Sequence, residues 1–328
     1  MVRPEDPIPV SVDINMQKTE KLYDSAHSAE GAVLRQLNRA LWRAVRRYPL
    51  GAIGGVLVIF LLLMSIVPSL FLVTEAHDPL QQTVRERLAG PSSQHWLGQD
   101  ELGRDVYARL VVATRTSLII GFGVVALQQV LAITIGTVSA YFGGKFDLLF
   151  QRLVDIGIAV PNLIFIILFV QIMSQRLDAV SLGHGDELAI MFGLGCVVAA
   201  SSSRTMRSVA LTLKAQQFVE AAQAQGATDV RVIARHVVPN MLPIAITSGT
   251  ILIGSAVLIE SSLSFLGYGV QPPTPSWGRM LSDGRSQLIR APHLAMFPGM
   301  MIFITVFSFN MLGDALRDKL DPRLRGSN

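Results

Sequence analysis

Five stretches of this sequence run for about twenty residues or more without a charged side chain: between Arg47 and Glu75, Arg115 and Lys145, Asp155 and Arg176, His236 and Glu260, and Arg290 and Asp314. A helix rises about 1.5 Å per residue, so crossing a hydrocarbon core of about 30 Å takes about twenty apolar residues. A shorter block between Glu187 and Arg204 carries Ile190 to Ala200 and ends in Ser201 to Ser203; for that segment alone an ordinary buried helix competes with a span. Counting it gives six spans and an all-α membrane protein with both termini on one side. Only 16% of the residues are charged, against about a quarter in soluble domains. The net charge of +4 could point to nucleic acid, but the basic residues sit at the ends of apolar blocks, where they meet lipid headgroups.

Lys and Arg near the span ends set the orientation. Sixteen fall on the side of the termini and nine on the other, with Arg3, Lys18 and Lys21 in the N-terminal segment, so both termini are expected in the cytoplasm. The first apolar block follows nearly fifty polar and basic residues and exceeds the length of a signal-peptide core. Residues 1–31 read as a mobile cytoplasmic tail. Residues 32–73 read as an amphipathic helix, with Leu34, Leu37, Leu41 and Val45 set against Arg35, Arg39, Arg43 and Arg46, leading into the first span. An extracytoplasmic loop over 74–114 and a five-helix core over 115–325 follow, the core holding a cytoplasmic loop at 204–240; 326–328 close the chain.

Three loops carry more pattern than a spacer needs. In the first, His95 to Asp105 mixes aromatic, glycine and alternating charge. Asp100, Arg104 and Asp105 can pair there, and Leu102, Val106 and Leu110 are expected to face the membrane surface from an interfacial helix. In the second, a strong helix former at Phe218–Gln225 is divided by Gly226 from a helix capped by Thr228 or Asp229, with Val230, Ile233 and Val237 as its apolar stripe. Pro239 and Pro243 are expected to end that helix before the fifth span. The result is a compact knob whose alanines admit another backbone, or a plain hairpin with no partner. In the third, Phe265 to Gly278 is stiffened by prolines, with Tyr268 and Trp277 suited to the headgroup layer. Glu260 is the ionisable residue nearest the membrane interior and so a candidate for a functional role.

At these segments the chain resembles the inner-membrane permeases of ABC-type importers with an EAA loop, a MetI-like fold of six transmembrane helices. The motif is Glu220-Ala221-Ala222, then Gly226, then His236-Val237-Val238-Pro239. His236 and Val238 depart from the general pattern, while Arg235 to Asn240 resembles the dipeptide/oligopeptide/nickel branch. The His95–Asp105, Leu263–Gly278 and Phe309–Leu324 blocks resemble the C-type permease of that branch. The resemblance implies that Glu220, Ala221, Ala222, Gly226, His236 and Pro239 form a coupling loop seated in one or two cytoplasmic ATPase subunits. ATP and magnesium would belong to those subunits, with none bound by this chain. It further implies a homologous second permease, an extracytoplasmic solute-binding protein, a bacterial-type inner membrane, and peptides as the solute, or nickel chelates or another small solute.

The motifs missing from the sequence agree with a non-catalytic subunit. Gly144-Lys145 has neither the upstream glycine nor the following Ser or Thr of a phosphate-binding loop. The six histidines are scattered, and no metal site is expected. Cys196 is the only cysteine. A membrane-embedded enzyme would need ionisable groups converging at mid-depth, of which the spans offer almost none. A secondary transporter not coupled to ATP is the nearer rival, since Pro161-Asn162 could supply the helix break such carriers use. Asn162 and Glu260 are therefore candidates for the pathway or gate.

Overall fold

The computed structural model describes residues 45–72, 78–181 and 183–320. The chain divides into two units, 1–52 and 53–328, and the packing below concerns the second. The expected tail over 1–31, the closing residues 326–328 and most of the amphipathic helix expected from Ala32 lie outside the described residues.

Six helices are long and apolar enough to cross a membrane. They are α1 (Pro49–Ile66), α2 (Val106–Phe142), α4 (Asn162–Ser181), α5 (Gly185–Lys214), α8 (Val238–Phe265) and α10 (His293–Leu320). Between them lie α3 (Gly144–Ala159), α6 (Gln217–Ala224), α7 (Asp229–Val232) and α9 (Trp277–Arg285). Among the described residues there is no strand, only an isolated bridge between Gln99 and Asp105. The shortest charge-free block, between Glu187 and Arg204, belongs to a 30-residue helix and counts among the spans.

Where the elements depart from the sequence reading, the local chemistry gives the reason. The second span begins at Val106, nine residues before Arg115. Asp105 caps it, its Oδ1 accepting from the Ala108 N–H at 2.7 Å. Residues 95–105 form turns rather than an interfacial helix. Asp100 and Arg104 do pair, at 2.7 Å. Leu102 is exposed, but Val106 and Leu110 are buried. The third span starts at Asn162, because Pro161 breaks the chain after a separate helix, α3. Pro239 and Pro243 do not end the knob's second helix. The chain runs helically from Asp229 to Phe265, with one π turn at Ile233–Val237 ahead of Pro239. That wider turn shifts the hydrogen-bond register, and Pro239 then sits in the first turn of α8, where a missing N–H costs least.

In lipid, apolar side chains gain nothing by leaving one apolar surrounding for another, so spans adhere through close backbone approach. The extensive α2–α5 contact depends on Gly136, where an added Cβ would stand 2.7 Å from the Ser203 carbonyl oxygen and the Arg207 nitrogen. Gly254 of α8 similarly faces the Val306 backbone of α10. Gln129 Nε2 donates to the Ala245 carbonyl at 2.8 Å, tying α2 to α8. Two apolar clusters result. The larger takes in Leu118, Val124, Leu194, Val257, Trp277 and Phe309. The smaller gathers Tyr141, Met206, Val219, Val232, Val237 and Met241 where α2, α5 and α8 meet the knob. Only 11% of the most apolar window of α4 is buried, against at least 33% for every other span, so α4 is left open to lipid or to another chain.

α3 is held by charge. Asp147 accepts from Arg207 Nε at 2.7 Å and from Arg207 Nη2, and Asp155 pairs with Arg204, so two acids on α3 grip two arginines on α5. The Arg207 bonds, helped by the Ser139 hydroxyl, hold the Asp147 carboxyl below the usual carboxylate range.

Two measurements test this packing. Gly136→Ala is expected to lower the melting temperature of the detergent-solubilised protein, by an overpacking cost of about 1–3 kcal/mol. Gly299→Ala, with open space around it, is expected to leave the melting temperature equal or higher. For Asp147 the folded pKa lies below the unfolded one. Its ionised form therefore stabilises the fold above the unfolded value of about 3.9, and that contribution disappears as pH falls through the lower, folded value. Melting curves taken downward from pH 6 should fall more steeply for the wild type than for Asp147→Asn below about pH 4.

Candidate functional site

The residues singled out in the second loop come together. α6 and α7 are short helices joined through Gly226, whose φ of +81° lies in the left-handed region that favours glycine. Three carbonyls near the turn are satisfied by the Gln225, Gly226 and Ala227 N–H groups, which donate to Ala221, Gln223 and Ala222. Val219 on α6 and Val232 on α7 bury inward. Val232 thus takes the inward place that the expected stripe gave to Val230, which is 73% exposed. Thr228 occupies the cap position of α7 without a side-chain cap bond.

This packing turns the other face outward. Glu220, Ala221 and Gly226 are exposed and Ala222 is half-buried. A recess beside them is lined by Phe218, Ala221, Ala222, Arg231, Arg235 and His236. His236 is half-buried and stands in the π turn, the type of helix irregularity that recurs at functional sites. Pro239 is exposed just beyond it. The knob therefore presents a small-residue surface, an acid at Glu220 and a basic rim. Such a surface can receive another protein's backbone and charges, and it carries no nucleophile or base–acid pair.

Asn162 and Glu260 are not brought together. Asn162 is exposed at the start of α4, and Glu260 is fully buried in the last turns of α8. The Glu260 carboxylate accepts from the Ser264 hydroxyl at 2.7 Å and the Ser261 hydroxyl at 3.4 Å, with the Ser276 hydroxyl also bonded to it. It ties α8 to the segment that opens α9.

That far end, where α8 finishes and α2 and α10 begin, is ordered throughout. Trp277 is buried rather than set at a headgroup surface; its indole N–H donates to the Leu110 carbonyl at 3.2 Å and its backbone N–H to the Ser117 hydroxyl at 3.3 Å. Tyr268 stays 38% exposed. His95 Nδ1 is 2.7 Å from Asp105 Oδ2, beside the cap of α2. A cavity of about 230 Å³ lies among Asp100, Arg104, Arg109, Arg279 and Asp283. Burial raises the Asp283 carboxyl above its ordinary range, opposed by Arg279, Arg109 and Arg104. The arginines and acids there largely neutralise one another, Arg279 facing Asp283 at 2.9 Å and Arg109 facing Asp100 at 3.6 Å.

Several contributors escaped the sequence reading. Tyr141, Lys214 and Asp229 meet beneath the knob, and nothing local in the sequence marks three residues so far apart as neighbours. The α3–α5 clamp had a visible signal: Asp147 and Asp155 lie eight residues apart, two turns along one helix face, opposite Arg204 and Arg207.

Comparison with known proteins agrees with this arrangement. The sequence pattern of the family described as "Binding-protein-dependent transport system inner membrane component" matches residues 132–326, which include the knob, α8 and α10. The chain is 34% identical over 287 residues to the dipeptide transport system permease protein DppC of Alkalihalophilus pseudofirmus, covering 88% of this chain and 90% of the relative. It is 34% identical over 288 residues to the glutathione transport system permease protein GsiD of Pectobacterium atrosepticum, covering 88% and 91%. The same identity holds over 285 residues to GsiD of Escherichia coli O157:H7, covering 87% and 90%. The chain belongs to the binding-protein-dependent transport system inner membrane components, as a multi-pass, non-catalytic permease subunit of an ABC-type transport system.

Proposed function

We propose that this chain forms half of a translocation pathway for di- or oligopeptides, with its knob as the seat of a cytoplasmic ATPase subunit. The observation that carries this reading is the exposed turn at Gly226, flanked by Glu220, Ala221 and Ala222. Buried Val219 and Val232 leave Glu220, Ala221 and Gly226 facing outward, with Ala222 half-buried beside them, where a rigid partner can press on them. Arg231, Arg235 and His236 at the rim suit an acidic cleft edge. With the basic residues concentrated at the knob end of the spans, that end and both termini would lie in the cytoplasm.

In this reading one or two ATPase subunits bind ATP and magnesium, close on one another, and drive the knob as a rigid body. A homologous second permease completes the pathway, and the open apolar faces of α3 and α4, with Leu149, Leu153, Ile164 and Leu168 exposed, suit such a neighbour and the surrounding lipid. A solute-binding protein delivers its cargo at the far end, against the loops around Trp277 and His95. Peptides are the proposed solute because the relatives are named for dipeptide and glutathione transport.

Gly226→Asp places a charge in the partner contact, and aspartate tolerates the left-handed backbone better than most residues. The variant should insert and assemble, yet import falls at least tenfold per ATP hydrolysed in proteoliposomes containing the partner subunits. Import at the wild-type ratio would contradict the coupling role, and import driven by an ion gradient without ATP would favour a secondary carrier.

A further inference from the structure

One tyrosine hydroxyl joins the knob to the spans. Tyr141 stands in the last turn of α2, 6% exposed, within the smaller apolar cluster that also holds Val219, Val232 and Met206. Its hydroxyl donates to Asp229 Oδ1 at 2.8 Å, on the first residue of α7. The same oxygen accepts from Gln223 Nε2 at 3.1 Å, on α6. The Tyr141 carbonyl accepts from Lys214 Nζ at 2.5 Å, and that ammonium lies 5.2 Å from the centre of the Tyr141 ring. Lys214 is the final residue of α5.

We propose that Tyr141 is the positioning residue through which displacement of the knob reaches the second span; this rests on the coupling reading above. The backbone bonds of the glycine turn run from Gln225, Gly226 and Ala227 back to Ala221, Gln223 and Ala222, and none of them reaches α7 or α2. The apolar contacts of Val219 and Val232 resist compression, but apolar attraction has no direction and leaves sliding unopposed. Hydrogen bonds are directional and weaken steeply when bent. A hydroxyl offers one donor and two acceptor sites, and here it spends the donor on one side of the Gly226 turn and an acceptor on the other. The two knob helices are thereby stapled to each other and to α2, and the Lys214 ammonium adds the end of α5 to the same point. A push on the Ala221 face is delivered as motion of two spans rather than as hinging of the knob.

The test uses the assembled complex of this chain with its ATPases, second permease and binding protein in proteoliposomes, with radiolabelled dipeptide as the probe and phosphate release measured in parallel. Tyr141→Phe keeps the ring and removes the hydroxyl. The expected result is continued ATP hydrolysis with import per ATP reduced about tenfold or more, the scale of one lost hydrogen bond to a charged group. Asp229→Ala combined with Tyr141→Phe should be no worse than the single variants, because both act on one contact. A purely structural role would lower hydrolysis and import together, leaving their ratio at the wild-type value, and that result overturns the proposal. Should Tyr141→Phe fail to assemble, Asp229→Ala and Gln223→Leu, at exposed positions, carry the same test with the same outcomes. Gly226→Asp run alongside separates the two readings. An uncoupled Gly226→Asp with a normal Tyr141→Phe overturns the staple alone, whereas a normal Gly226→Asp overturns the coupling reading and the staple with it.

Discussion

The bilayer supplies no water to backbone groups, and this single constraint orders the molecule. Each span must satisfy its own N–H and C=O groups, so each is a helix. Helices surrounded by hydrocarbon gain no hydrophobic free energy by touching one another, so their adhesion must come from close contact and from a few polar bonds. Gly136 and Gly254 bring backbones into contact with Ser203, Arg207 and Val306. α2, α5, α8 and α10 are joined in this way, while α4 remains largely uncovered. The division between a packed bundle and an open flank is therefore a consequence of where small residues fall along the spans.

The stronger polar ties lie mostly at the two ends of the bundle, where desolvating them costs less. At the far end the His95–Asp105 pair, the Glu260–serine cluster and the Trp277–Leu110 bond fix loops to the mouths of α2 and α8. At the knob end the Asp147–Arg207 and Tyr141–Asp229 contacts do the same for α3 and the knob. Within the spans, Gln129 bonded to Ala245 is one of the few side-chain links between helices. A bundle bonded this way is stiff along each helix and permissive about the angle between helices, a property that rocking requires.

The span count was legible because a charge-free run of about twenty residues is itself the physical requirement for crossing. The knob was legible for a similar reason, since Gly226 and the residues around it obey local rules of helix ending and starting. Boundaries were harder to read where tertiary contacts alter the cost of a residue. The charge-free run began at Arg115, yet α2 starts at Val106 and takes in Arg109, which is 4% exposed and faces Asp100. Trp277 suited a headgroup layer by its amphipathic ring, but its indole N–H found the Leu110 carbonyl, a partner 167 residues away. Pro239 was read as a stop, and the π turn at Ile233–Val237 accommodated it instead. Tyr141 was invisible because its partners are 73 to 88 residues distant.

Two continuous rods give the knob its reach. α2 spans 37 residues, and the helical run from Asp229 through the π turn to Phe265 spans another 37, each roughly 55 Å long at 1.5 Å per residue. Both have one end at the knob, where Tyr141 meets Asp229. Their other ends lie at the far loops, where Trp277 bonds α2 and Ser276 bonds Glu260 of α8. On the coupling proposal a load applied at Ala221 passes through the Tyr141 contacts with Gln223 and Asp229 and then along these two helices to the far loops. The π turn, which includes His236 at the base of the knob, and Pro243 within α8 are the irregularities along this helical run. In the proposed coupling, these two helices are the levers by which a partner at one end rearranges the other.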